Sequence, residues 1–171
     1  VSIDQALIRS LNVPFVHALR DYRYEKFYGL LKKAGLTTLT QPADHYGLAL
    51  ILGGAEATLW EVVGSYGALA HQLNLQGQTP LAQRGAQPSS FHLSYLQDSA
   101  SRSSEFHTPV SAASTWLTFQ TLKELNRPGE ETGWKNFSSS KSIAWKTGTS
   151  FGFRDGWAVG VTPRFVVGVW T

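Results

Sequence analysis

No cysteine occurs among the 171 residues, which excludes a disulfide framework, a thiol nucleophile and thiolate metal sites. Charge is also sparse: 16% of residues are charged and the formal net charge is +3. The basic residues are scattered with no Lys/Arg run, so nucleic acid is not expected as a partner. Such a surface suits an anionic small ligand or polymer without identifying one. No apolar run approaches the length that spans a bilayer, and no signal peptide is visible. His17, His45, His71, His92 and His107 show no paired ligand spacing, so no metal is expected. No phosphate-loop pattern accompanies the lysines. Gly64-Ser65-Tyr66-Gly67 has the wrong spacing for a nucleophile elbow and falls inside a helical pattern. The start at Val1 and the stop at Trp170-Thr171, inside an apolar run, give the expectation of an excised piece, for which missing targeting signals mean little.

What is present fits one domain with a sizeable core, 42% of residues being hydrophobic. Ser2-Ile3-Asp4-Gln5 has the form of a capping box, followed by Ala6 and Leu7 at helical spacing. Pro14 is expected to end that helix and to bias Val13 toward extended backbone, which puts Ser10-Leu11-Asn12 at the helix end or in the turn after it. Helical stretches follow from Pro14 toward Arg20 and from about Tyr24 to Ala34, the latter stopped by Gly35. Thr58 and Glu61 form a second capping box. Behind it Leu59, Val62, Val63, Tyr66, Ala70 and Leu73 make the cleanest helical stripe of the chain. Residues 74–107 read as irregular, with a short strand or two. Thr108-Pro109 reads as a cap and first-turn proline opening a helix that runs to about Leu125. From Ile143 the pattern turns to strand. Trp157, Val159 and Val161 alternate, Thr162-Pro163-Arg164 turns the chain, and Phe165, Val167 and Val169 alternate back. Trp60, Trp116 and Trp170 fall on these patterns and are expected in the core, not on a sugar-stacking surface. Helices first and an antiparallel sheet last make an α+β chain.

The chemistry concentrates in Lys146-Thr147-Gly148-Thr149. On a strand, Lys146 and Gly148 share one face and Thr147 and Thr149 the other. Two hydroxyls on a sheet edge can hold a carboxylate, and the Thr149 N–H can donate to a developing oxyanion. Gly148 permits close approach on the face where Lys146 places its ammonium. These are the needs of acyl transfer on a peptide that ends in a free carboxylate. Ser10-Leu11-Asn12 is a weaker signal by itself, because Ser and Asn both suit a helix end and turn. Its value comes from pairing with the lysine segment.

Together, Ser10-x-Asn12 and Lys146-Thr147-Gly148-Thr149 resemble the second and third motifs of the penicillin-recognising serine acyltransferases. "QALIRSLNVPFV", "YGLALILGGAEATLWEVVGSYGALA" and "IAWKTGTSFGFRDGWAVGVTPRFVVGVWT" are similar to the transpeptidase domain of class A penicillin-binding proteins. The resemblance covers nearly the whole chain apart from about residues 78–106. It implies a penicillin-binding transpeptidase, or serine β-lactamase-like, fold: a five-stranded antiparallel sheet flanked by helices beside a helical subdomain. Here that fold would be incomplete, with residues 1–140 mostly helical and 141–171 supplying the third-motif strand and hairpin. Residues 143–150, 157–161 and 165–170 would be the third to fifth strands.

The resemblance also implies an activity: cross-linking of peptidoglycan stem peptides that end in D-Ala-D-Ala, through a serine acyl-enzyme that β-lactams trap. Ser10 would relay protons and Asn12 would orient the substrate amide and the lysine. Lys146 would contact Ser10, while Thr147 and Thr149 would hold the substrate carboxylate beside Gly148. No cofactor is implied. The parent would be a bifunctional cell-wall synthase with a glycosyltransferase half, anchored through its N-terminus on the periplasmic face of the bacterial inner membrane. Two other readings stand beside this one: a D,D-carboxypeptidase or β-lactamase of the same superfamily, and a non-catalytic β-lactam sensor or scaffold.

One departure shapes the expectation. The family's S-x-x-K precedes S-x-N, and only nine residues precede Ser10. The nucleophile is therefore expected upstream, outside this chain, which alone should not acylate. Ser138-Ser139-Ser140-Lys141 fits S-x-x-K literally, but it follows the second motif and reads as a solvated loop.

Overall fold

The computed structural model describes residues 1–78, 90–94, 103–125, 142–150, 152 and 154–171. Six α-helices are described: α1 (Ile3–Ile8), α2 (Asn12–Tyr22), α3 (Tyr24–Lys33), α4 (Ala43–Tyr46), α5 (Leu59–Gln78) and α6 (Ala112–Lys123). A 3-10 turn, Gly47–Leu52, follows α4. The strands are β1 (Ser90–Ser94), β2 (Ser103–His107), β3 (Ala144–Thr149), β4 (Gly156–Val161) and β5 (Val166–Trp170). They form two antiparallel sheets, β1–β2 and β3–β4–β5, so the described architecture is α+β.

The helix α5 organises both halves. Its start is a closed capping box: the Glu61 N–H donates to Thr58 Oγ1 at 3.1 Å, and the Thr58 N–H donates to Glu61 Oε2 at 3.0 Å. The same carboxylate reaches across to the segment after α3. Glu61 Oε1 accepts from the Thr37 N–H at 2.7 Å and the Thr37 hydroxyl at 2.6 Å, and Oε2 accepts from the Thr38 hydroxyl at 3.1 Å. Burial pushes the Glu61 carboxyl up, but these donors outweigh it and hold its pKa down at about 2. A buried carboxylate thus ties the small helical layer to α5.

That layer has its own core of Leu19, Leu39, Tyr46 and Leu50, flanked by Tyr24, Phe27 and Tyr28. A second core lies under the three-stranded sheet. Phe119, Leu122 and Leu125 meet Ala144, Val159 and Val161 there, and α5 adds Val62, Tyr66, Leu69 and Leu73. The register pairs Lys146 with Val159 and Gly148 with Trp157, which puts Lys146 on the same face as the buried strand residues. The β1–β2 ribbon packs on α5 through Phe106, which is 1% exposed. Its ring fills a notch between two glycines: a Cβ on Gly64 would lie 2.2 Å from the ring and one on Gly35 would lie 2.5 Å from it. Gly35 also has φ +103°, the left-handed geometry that a residue just past α3 requires.

The structure corrects several expectations. Pro14 does not end a helix; it lies in the first turn of α2, where amides have no intrahelical acceptor and a proline costs little. Val13 is therefore helical. Ser2 sits at the α1 N-cap position without a side-chain cap hydrogen bond. The sixth helix begins at Ala112, not at Thr108-Pro109. Ser111 caps it, its hydroxyl accepting from the Ser114 N–H at 3.1 Å. Residues 74–78, read as irregular, are helical, because α5 runs to Gln78. Trp116 and Trp170 are not core: they are 52% and 56% exposed, one on the outer side of α6 and the other on the outermost strand of the three.

Candidate active site

Ser10 owes its position to the way α1 ends. The Leu11 N–H donates to the Ala6 carbonyl at 2.9 Å and the Ser10 N–H to the Leu7 carbonyl at 3.2 Å. This is the paired closure of a Schellman motif, whose pivot residue takes left-handed backbone and is most often glycine. Ser10 occupies that pivot, with φ 51°. A serine there carries local backbone strain of about 1 kcal/mol. In exchange the hydroxyl stands clear of the helix and faces the sheet.

Lys146 meets it from β3. The Lys146 ammonium donates to Ser10 Oγ at 2.6 Å and to the Thr147 carbonyl at 2.7 Å. The two residues are 136 positions apart, and the packing of α1 against α6 and of α6 against β3 helps bring them together. Lys146 is half-buried, and burial moves its pKa below the ordinary lysine value. No carboxylate pairs with it among the described residues.

The remaining sequence-derived residues are placed as follows. Asn12 is the first residue of α2, two positions beyond Ser10, and it is exposed; no hydrogen bond joins it to Lys146. Thr147, Gly148 and Thr149 are exposed on β3. Among the described strands β3 pairs only with β4, so its other edge has no strand neighbour. The register sets Thr147 and Thr149 on the face opposite Lys146. The Ser138–Lys141 match lies outside the described residues. No group of three or more His, Asp or Glu side chains capable of holding a metal ion occurs among the described residues. No described helix is long and apolar enough to cross a membrane.

Sequence reading missed two features. The reach of Glu61 to Thr37 and Thr38 lies beyond its capping-box pattern, because it depends on α3 packing beside α5. Asp155 ties the exit of β3 to β5 by accepting from the Trp170 indole N–H at 3.0 Å. The only sequence sign of this was an acidic residue just ahead of an alternating strand.

Chemically, the site is an amine–hydroxyl pair at the edge of a sheet. A hydroxyl 2.6 Å from an ammonium is within the distance at which protons pass between a lysine and an oxygen. Thr147 and Thr149, on the same strand, expose hydroxyls of the type that can hydrogen-bond a carboxylate.

No family model matches the sequence. A curated relative does: penicillin-binding protein 1C of Escherichia coli (strain K12) is 31% identical over 176 aligned positions. The alignment takes in 100% of this chain and 20% of the relative, so the chain spans about a fifth of the length of the curated protein it matches. From its first residue to its last, the chain is thus similar to a portion of penicillin-binding protein 1C, consistent with a C-terminal transpeptidase portion of a class A penicillin-binding protein.

Proposed function

We propose that this chain is part of the transpeptidase domain of a cell-wall synthase, with the penicillin-binding transpeptidase fold and serine D,D-transpeptidase activity. The observation that carries the reading is the 2.6 Å contact between Lys146 and Ser10, which unites two short motifs from opposite ends of the sequence. The relative's name, a penicillin-binding protein, supports the same class of ligand.

In this reading a serine outside the chain attacks the penultimate D-Ala carbonyl of a stem peptide. The new C–O bond forms as the peptide C–N bond breaks, and D-Ala leaves with a proton on its nitrogen. Ser10 carries that proton, and Lys146 holds the Ser10 hydroxyl in line and supplies positive potential. Burial moves the lysine's pKa below its ordinary value, which eases proton exchange with Ser10. Thr147 and Thr149 hold the terminal carboxylate of the donor, and the Thr149 N–H stabilises the oxyanion. An amine of a second stem peptide then displaces the serine and completes the cross-link. Asn12, at the opening of α2, takes the donor's amide. The parent works on the outer face of the bacterial inner membrane.

The test is covalent labelling of the full-length protein with a fluorescent penicillin, followed by a cross-linking assay on stem peptides. Labelling together with cross-linked product is the expected result. A protein that takes up no penicillin ends the reading, and one that labels but only hydrolyses shifts it to a carboxypeptidase.

A further inference from the structure

We propose that Asp155 is a positioning residue for this site: it fixes the end of β3 that presents Thr147 and Thr149, and so sets how firmly the donor carboxylate is gripped. The proposal rests on the transpeptidase reading above.

The weak strand of this sheet is β3. It is an edge strand among the described residues, its last three residues are exposed, and one of them, Gly148, has no side chain to pack. Glycine in a strand interior weakens it, and an edge has ladder bonds on one side only. Left to itself, this end would fray, and Thr147 and Thr149 would not hold a fixed separation from Ser10.

Asp155 closes the end from two directions. Toward β3, the Ser150 N–H donates to the Asp155 carbonyl at 3.1 Å and the Asp155 N–H donates to Ser150 Oγ at 2.9 Å. Ser150 directly follows Thr149, so this clasp ends the strand. Toward β5, the Asp155 carboxylate accepts from Trp170 Nε1 at 3.0 Å. Trp170 is itself held: its ring packs against Trp157, its cross-strand partner, at 6.2 Å between centroids. The next residue, Thr171, exchanges backbone hydrogen bonds with Gly156 at 2.9 and 3.0 Å. One residue therefore links the ends of all three strands: its backbone clasps Ser150 after β3, its chain leads directly into Gly156 of β4, and its carboxylate holds Trp170 of β5. The Ser150 hydroxyl first, then the Trp170 indole, hold its pKa below the usual carboxylate range, so it is ionised while the site works.

The residue touches no reacting atom in this arrangement; it acts through Ser150 on the threonines. Its loss should therefore weaken recognition of a carboxylate more than it weakens the chemistry. The experiment compares acylation rates of the full-length protein by benzylpenicillin and by benzylpenicillin methyl ester, which lacks the free carboxylate. Wild type should favour the acid. In Asp155→Ala the acid rate should fall about ten- to a hundredfold, the scale of a misplacement near 1 Å. The ester rate should change little, so the acid/ester ratio collapses. Trp170→Phe keeps the ring and removes the indole donor, and should move the ratio the same way by less. Asp155→Asn keeps an acceptor for Trp170 and should recover part of the loss. A wild-type ratio in Asp155→Ala overturns the inference, whether both rates hold or both fall together. Should that variant not fold, wild-type ratios in both Trp170→Phe and Asp155→Asn overturn it. Wild-type protein that reacts with neither compound overturns the transpeptidase reading first, and the inference with it.

Discussion

Glu61 and Lys146 are two partly or fully buried charges surrounded by hydroxyls, and they end in opposite states. Glu61 receives donors from Thr37, Thr38 and Thr58, enough to overcome burial and lock the carboxylate in its charged form. Lys146 has two acceptors, Ser10 Oγ and the Thr147 carbonyl, and neither carries a charge. Burial therefore wins, and its charged form is disfavoured. A charge whose hydrogen bonds are complete acts as a rivet. A charge left short of partners becomes easier to titrate, and that is a requirement for proton transfer.

The largest expected effect comes from removing the poorly satisfied charge. Lys146→Met in the full-length protein should cut fluorescent penicillin labelling by at least about a hundredfold, the lower range for a lost proton-transfer group. Its circular dichroism and melting temperature should stay close to wild type. Lys146→Arg should not restore labelling, because a guanidinium does not give up its proton and does not fit the same point contact. In the wild type, labelling should decline with rising pH through a midpoint below 10.5, the ordinary lysine value, because the ammonium that donates to Ser10 is lost there. A midpoint above that value would erase the contrast with Glu61.

Removing the well-satisfied charge should cost stability and spare the chemistry. The Glu61 pKa falls from 4.5 to about 2 on folding. With allowance for solvent screening close to the surface, that corresponds to about 2 kcal/mol. The sign is fixed by the depressed folded value: the contribution is complete above pH 4.5 and is lost as pH falls toward 2. Glu61→Gln should therefore lower the urea midpoint at pH 7 and flatten the acid limb of the stability profile, with penicillin labelling of the folded protein retained. An unchanged acid limb would show that the carboxylate is not the tie.

Ser10 sharpens the contrast from the backbone side. Ser10→Gly relieves the left-handed strain and should raise stability by about 1 kcal/mol, while transfer is lost with the hydroxyl. Ser10→Ala loses transfer without the gain. Equal melting temperatures for the two variants would remove strain from the account. The smallest effect belongs to an exposed pair. The Arg20–Asp21 contact, 3.3 Å long with both side chains mostly exposed, should change stability by less than about 0.5 kcal/mol in Asp21→Asn.

The sequence made local features legible and left most long-range ones hidden. The Thr58–Glu61 box, the stripe on α5 and the alternating strands after residue 156 declare themselves, because each depends on neighbours a few positions away. Pro14 misled because a proline in a first turn and a proline that ends a helix look alike until the helix start is known. Ser111 and Thr108 competed as caps, and the hydrogen bond to Ser114 favoured the former. Phe106 between Gly35 and Gly64 was illegible, since no local pattern links residues so far apart. Within the site, alternation alone separated Lys146 from Thr147 and Thr149. The pairing of Lys146 with Ser10 came from family resemblance and was not derivable from spacing. Asp155 was passed over because its partners come from a later strand.

The outermost strand has a practical consequence. Phe165, Val167, Val169 and Trp170 are 68%, 60%, 50% and 56% exposed on or beside β5, which has a strand neighbour on one side only among the described residues. Handled on its own, this stretch would offer greasy side chains and a free row of amides to any passing chain. Cloudy solutions of the isolated 171 residues would then reflect this sticky border and say little about whether the catalytic pair had formed.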